Sequence, residues 1–486
     1  MKKWMVLIMA FMSVVMSTGF PFNMSVLYVE WLDEFKKSNS ETALVQSICT
    51  GIFSLGGSIN GIIVTKFGPC RCGIAGGIVA AAGLAISYFA TSIYFLVLSV
   101  GIVTGFGLSL SFISASTSVG LYFDGKQRLM ALALVSTGGG VGAAIVPIIL
   151  DEFIGQYNWR GALLVLGGIT TNLIANACLF TKPSFQIRRR KSDVSHGKST
   201  ISYVSNNDSL VITENKIQHP LATNATQSST CASISKSEIR RVHKEADNSE
   251  RKGIFDILTG LLKNKLFISY IFAQAMCLAA YNSIMIFYID FFKFKGLTRT
   301  DAVSIYFYMN VMSTVFRFVT GLLKQIPHVS VIAIPVFCAL LGASSMGLFP
   351  LVGSSYIANL LVAFMYGCGR GGMFAVLGIS IVKLAGPENY SVALGISMTF
   401  SGILNAVAGP VSGLIRDSTG NYDMSFFCSA ATAFVACIVF VTIMFIRFFA
   451  NRPKSSELNF EIVIRQKSWR RSSILPWKKQ SVDISK

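Results

Sequence analysis

Few residues in this chain are able to do chemistry, and the most informative is an arginine in apolar surroundings. Val303 to Leu323 reads VSIYFYMNVMSTVFRFVTGLL, long enough to cross a bilayer, with Arg317 inside it. Tyr306, Asn310, Ser313, Arg317 and Thr320 recur every three or four residues, so a helix gathers them on one face. A fixed cation in the middle of a membrane helix costs about 2.5–3.5 kcal/mol on insertion scales. Two placements lower that cost. The side chain can snorkel to the interface, because Lys324 lies seven residues on, about 10 Å along a helix. Alternatively it faces a cavity, and the polar stripe beside it, wasted against lipid, favours this. A second arginine stands in Tyr366-Gly367-Cys368-Gly369-Arg370-Gly371-Gly372, where glycines let a helix or a ligand approach the backbone. Guanidinium groups bind carboxylates through charge-assisted, bidentate contacts, so the chemistry on offer is anion recognition. Candidate lining residues are Arg317, Arg370, Asn310, Ser313, Tyr281, Asn282, Phe22 and Asn23, with Tyr288 and Tyr306 adding aromatic surface.

Catalysis is not expected. No Gly-x-Ser-x-Gly, metal-ligand pair or phosphate loop stands in a suitable context. His196, His219 and His243 are too irregular for zinc, and Cys70-x-Cys72 alone is a weak metal signal. Neither cofactor nor metal is expected.

The elements that must position these residues are membrane helices. The 486 residues are 52% hydrophobic and 13% charged, against about 25% charged in soluble chains. Twelve apolar stretches of spanning length lie near 4–28, 43–65, 72–90, 94–120, 129–150, 161–181, 266–289, 303–323, 329–349, 356–382, 391–415 and 424–449. The net charge of +19 would suggest nucleic acid in a soluble protein. Here Lys and Arg gather in the segments that a cytosolic amino terminus leaves inside, the positive-inside pattern of a multi-pass protein with both termini cytosolic. No nucleic-acid partner is expected, and lipid surrounds the helices. No carboxylate falls within these spans; Glu30 and Asp290 lie at outer ends. The expected outer loops contain no cysteine, so no disulfide framework is expected.

The organisation is an amino-terminal six-helix bundle over 1–181, a disordered cytosolic linker over 182–260, a carboxy-terminal bundle over 261–450 and a basic tail over 451–486. Pro21 within Gly19-Phe20-Pro21-Phe22-Asn23 interrupts the first span, and a broken membrane helix needs its freed backbone groups buried or facing a cavity. Ala131-Leu132 through Pro147 to Gly155-Gln156-Tyr157 parallels Ala393-Leu394 through Pro410 to Gly420-Asn421-Tyr422. Such a repeat is what two pseudo-symmetric halves would leave.

Several blocks carry a family resemblance. They are Tyr122-Phe123-Asp124, Arg128-Leu129-Met130-Ala131, Gly138-Gly139-Gly140-Val141-Gly142 with Pro147, Tyr157-Asn158-Trp159-Arg160-Gly161, Gly386-Pro387-Glu388-Asn389, Gly409-Pro410, and Asp417 through Phe426. Together they resemble the monocarboxylate transporter family of the major facilitator superfamily. The resemblance implies an all-α fold of twelve transmembrane helices in two pseudo-symmetric six-helix bundles. It also implies structural or gating roles for Pro21, Gly138, Gly142, Pro147, Gly409, Pro410 and Asp417, and places Arg317 where the family's arginine holds the substrate carboxylate. Two positions depart from proton-coupled members: Ser313 stands where they have an aspartate, and Phe22 where they have a lysine. Arginine does not titrate in proteins, so proton coupling lacks its usual acid.

The expected function is alternating-access transport of a small carboxylate-bearing solute across the plasma membrane. A single-span ancillary glycoprotein is a partner that the resemblance allows. The alternatives are a carrier of aromatic amino acids or other zwitterionic or neutral solutes, and a transport-dead receptor or scaffold.

Overall fold

The computed structural model describes residues 2–123, 125–180, 205–206, 209–210, 257–323, 333–386 and 389–450, which are almost entirely helical. Most of the linker, the whole basic tail, Asp124, Pro387 and Glu388 lie outside the described residues, as does the expected disorder. Within the linker, Ser205–Asn206 pairs antiparallel with Ser209–Leu210.

The first crossing is broken as the proline predicts. α1 (Lys2–Gly19) ends before Pro21 and α2 (Ser25–Phe35) begins after it. The freed carbonyl of Gly19 accepts from Asn23 Nδ2 at 2.7 Å, and Asn23 N donates to Phe20 O at 3.1 Å. The break is thus satisfied from within, the condition for interrupting a helix at membrane depth. α3 (Asn39–Phe67) starts at Ser38, whose hydroxyl accepts from Glu41 N, and bends by 50° between Gly57 and Ile59. Gly68, at φ +88°, turns the chain into α4 (Pro69–Ile86), with proline in its first turn. The fourth crossing joins α5 (Ile93–Leu96), a π-helical stretch over Val97–Thr104 and α6 (Gly105–Tyr122).

α7 (Gly125–Thr170) has 46 residues. At 1.5 Å per residue it would measure about 70 Å, over twice the hydrocarbon thickness. Asn158, at φ 58° and ψ 170°, breaks it, so the chain crosses twice and finishes the second pass with α8 (Asn172–Cys178). The second half comprises α9 (Lys265–Phe294), α10 (Arg299–Leu323), α11 (Ala333–Leu351), α12 (Tyr356–Ala385), α13 (Tyr390–Thr419) and α14 (Asp423–Ala450). Among the described residues nine helices are long and apolar enough to cross a membrane, or ten with bent α3 counted as one span. Not all twelve crossings are separate helices among the described residues. The twelve-crossing reading is completed by the division of α7 at Asn158 and by the pairing of α1 with α2.

Small residues set the packing, because apolar side chains gain little from leaving lipid. A Cβ on Gly138 would lie 2.9 Å from Phe11 O, and one on Gly142 would lie 3.0 Å from Gly19 Cα, so these glycines seat α7 on α1. Val6, Leu7, Ala10 and Val14 meet Ala115, Val119, Ala131, Val135 and Phe180 in the core of the first half. Across the halves α3 lies along α13, α7 along α10 and α2 against α9. The first two pairings exchange equivalent helices of the internal repeat. Ile62, Phe89, Leu351 and Ile357 stand largely exposed, as lipid-facing side chains do. Contacts divide the chain into Met1–Phe440 and Val441–Lys486, so both sets of crossings, apart from the end of α14, lie in the first unit.

Candidate functional site

The break in the first crossing and the stripe on α10 meet inside the bundle. Tyr306 donates to Asn23 Oδ1 at 2.9 Å, which fixes the outer turns of α10 against the loop between α1 and α2. One turn further, Asn310 Nδ2 donates to Tyr306 O at 2.9 Å, and its Oδ1 accepts from Arg370 Nη1 at 2.7 Å. Arg370 is only 3% exposed. Its partner is a neutral amide, so its charge stays uncompensated.

Arg317 lies two turns inward of Asn310 on the same helix. Its guanidinium carbon sits 4.8 Å from the centroid of Phe374, and that of Arg370 lies 5.8 Å from the same ring. Arg317 Nη1 makes a long, 3.5 Å contact to Ser136 O on α7, and Nε is buried without a partner. A Cβ at Gly139 would stand 3.1 Å from Nη1, so the middle of the glycine run makes room for the guanidinium. Arg317 is half-buried, with its guanidinium between α7 and α12.

An aromatic wall completes the cluster. Phe22 packs edge-on against Phe374 at 6.2 Å and against Phe53 on α3 at 5.6 Å. Two cations and three phenyl rings therefore share one region, consistent with cation–π attraction of about 0.5–2 kcal/mol for each close pair. Among the described residues no carboxylate pairs with either arginine; the ion pairs found there lie among Glu30, Asp33, Glu34, Asp151, Arg160, Lys293 and Arg299. α9 runs further than its predicted span and so includes Asp290, which accepts from Tyr422 near the helix end.

The remaining expected residues have contacts of their own, some beside this cluster and some away from it. Tyr281 donates to Cys338 O at 3.0 Å and packs on Gly342 and Gly369, joining α9 to α11 and α12. Ser313 is 1% exposed, its hydroxyl has no partner, and its backbone lies against Gly371. Asn282 Nδ2 donates to Thr50 Oγ1 on α3 at 3.1 Å, while its Oδ1 is unpartnered. Asn23 uses both ends of its amide on Gly19 and Tyr306. Gly409 lies against Ser47 and Ile286, and Pro410 O accepts from Ser40 Oγ at 3.0 Å. Asp417 accepts from the backbone N–H groups of Asn39 and Ser40, each at 3.1 Å, at the start of α3. Pro147 lies inside α7. Phe374 and Phe53 were missed by the sequence reading. Phe374 follows Arg370 by one turn, a spacing that could have revealed it.

Residues 6–408 match the model of the Major Facilitator Superfamily. The chain belongs to that superfamily. Among curated relatives, this major facilitator chain is 27% identical to "Monocarboxylate transporter 9" of Gallus gallus, with 88% of this chain and 89% of the relative covered. It is 24% identical to "Monocarboxylate transporter 14" of Homo sapiens, covering 87% of each. "Monocarboxylate transporter 1" of Bos taurus is 26% identical over 90% of this chain and 83% of that protein. A solved POT family transporter in complex with 5-aminolevulinic acid shares the fold at a TM-score of 0.65 and 13% identity, covering 93% of this chain and 96% of that one. The protein is thus a multi-pass transporter of this superfamily and not an enzyme.

Proposed function

We propose that the protein carries a small organic anion, its carboxylate held by Arg317 and Arg370, by alternating access at the plasma membrane. One observation carries the reading: half-buried Arg317 packs against Phe374 of α12 and Gly139 of α7, with no carboxylate partner among the described residues. A carboxylate guest would supply the missing charge, and the Phe22, Phe53 and Phe374 rings would hold an apolar body beside it. The names of the curated relatives support the same class of solute. The distribution of Lys and Arg supports cytosolic termini. With serine at 313 and phenylalanine at 22, facilitated or anion-linked transport accounts for the site better than proton symport. A single-span glycoprotein partner remains a proposal from the resemblance alone.

The test is uptake of labelled monocarboxylates at two external pH values, in cells expressing wild type, Arg317→Ala or Arg317→Lys. Loss of a charge-assisted bond worth about 1.5–3 kcal/mol predicts a fall of roughly ten-fold or more in Arg317→Ala. Arg317→Lys should retain part of the uptake, and wild type should respond weakly to pH. Unchanged uptake by well-expressed Arg317→Ala removes the arginine from the mechanism. Steep acid stimulation restores proton symport.

A further inference from the structure

We infer that the bend of α3 at Gly56 and Gly57 is a joint with two settings, governed by Ser109 and Asn60, and that straightening it returns the inner turns of α3 to α13. The joint governs how the two halves meet, whichever solute is carried.

α3 and α13 run together from the outer end, and glycines mark their path. A Cβ on Gly413 would lie 2.5 Å from Ser40 Cα, one on Gly402 2.8 Å from Leu55 N, and one on Gly57 2.6 Å from Met398 Cε. There the two helices part. α3 bends by 50° between Gly57 and Ile59. One turn past Gly57, nothing lies within 4 Å of the Cβ position of Gly61, and Ile59 and Ile62 are 58% and 72% exposed. α13 nevertheless continues inward, since it begins at Tyr390, eight residues before Met398.

The bend has the parts of a joint. Two successive glycines followed by a serine give the backbone freedom to turn. Ser109 of α6 donates to Phe53 O at 2.7 Å, and a regular helix would offer that carbonyl to the Gly57 N–H. A side chain inserted into the ladder in this way bends a helix. One turn past Gly56, Asn60 is fully buried, and neither its Nδ2 nor its Oδ1 has a partner among the described residues. A Cβ on Gly56 would lie 2.9 Å from Ser109 Oγ and 3.1 Å from Asn60 Nδ2, so the missing side chain leaves both polar groups facing one small gap. A buried amide unmade at both ends opposes the bent setting. Straightening returns Phe53 O to the Gly57 N–H and frees the Ser109 hydroxyl for Asn60. The exchange uses groups already at hand, so no carbonyl is left unmade at membrane depth.

The test measures the distance between spin labels at Ile62→Cys and Val392→Cys by double electron–electron resonance. It uses the full chain in nanodiscs, in a background without the other accessible cysteines. Both labels flank the contact face and leave it clear. Wild type should give two separations, the shorter one from straight α3. Asn60→Leu removes the group that gains from straightening and should shift the ratio toward the longer separation about five-fold, the scale of one neutral hydrogen bond. Gly57→Pro lacks the N–H, and its ring would clash with Phe53 O in a straight helix; the longer separation alone should remain. A single separation in wild type overturns the joint, as does a short separation that survives in folded Gly57→Pro. An Asn60→Leu protein with the wild-type ratio overturns the part given to Asn60 and Ser109.

Discussion

Arg370 shows how much a neutral partner matters to a buried charge. The residue is 3% exposed, and its guanidinium donates a 2.7 Å bond to Asn310 Oδ1. Removing one partner of a buried polar contact leaves the other desolvated and unpaired, at about 1–3 kcal/mol or more for a charge. Asn310→Leu should therefore lower thermal stability more than Arg370→Met, and the double variant should recover part of the loss. Thermal unfolding of the purified protein in detergent measures this, and an Asn310→Leu protein as stable as wild type would show that Asn310 does not support the charge. The arginines and Asn310 were legible in the sequence because polar residues in an apolar run announce themselves. Phe374 and Phe53 were not, since a phenylalanine in a membrane helix usually signals nothing beyond lipid or core.

At the scale of helices, glycines decide how closely the elements approach. A Cβ on Gly142 would run into the backbone carbonyl of Val15, and backbone cannot step aside as a flexible side chain can. Gly142→Ala should therefore force α1 and α7 apart and sharply reduce the monodisperse yield on size-exclusion chromatography. Gly155→Ala is the control, because nothing lies within 4 Å of its Cβ position. Equal yields would show that this crossing tolerates a wider separation. The glycine run was visible in sequence, but the partner of each glycine was not. Gly138 and Gly142 turn to α1, Gly139 to both Thr18 of α1 and Arg317 of α10, and Gly140 to Thr314. Only the rotation of α7 between α1 and α10 makes that assignment.

For the molecule as a whole, polar ties between the halves collect at the ends expected to face outside. Arg299 of α10 pairs with Glu30 of α2 at 2.5 Å and with Asp151 of α7 at 2.8 Å. Asp417 of α13 holds the first turn of α3, where aligned N–H groups favour an anion. These groups are part-exposed, so each tie contributes on the order of 1 kcal/mol or less. Lost together they shift the balance of states by about ten-fold, since about 1.4 kcal/mol corresponds to that ratio. Arg299→Gln with Asp417→Asn should open the outer side. A cysteine at Phe22, in a background lacking the exposed Cys178 and Cys428, should then react faster with a membrane-impermeant maleimide added outside. Unaltered labelling would mean that these ties do not hold the outer side shut.

The sequence by itself determined the solvent, the approximate crossings, the broken first span and the charges that the membrane interior must accommodate. Each of these follows from local terms: apolar length, backbone hydrogen bonding and the cost of burying a cation. Tertiary structure alone decided what those charges meet. Two arginines fifty-three positions apart share one phenylalanine ring because α10 packs along α12. Such facts depend on helix rotation and crossing, which are set by glycine contacts far apart in the chain.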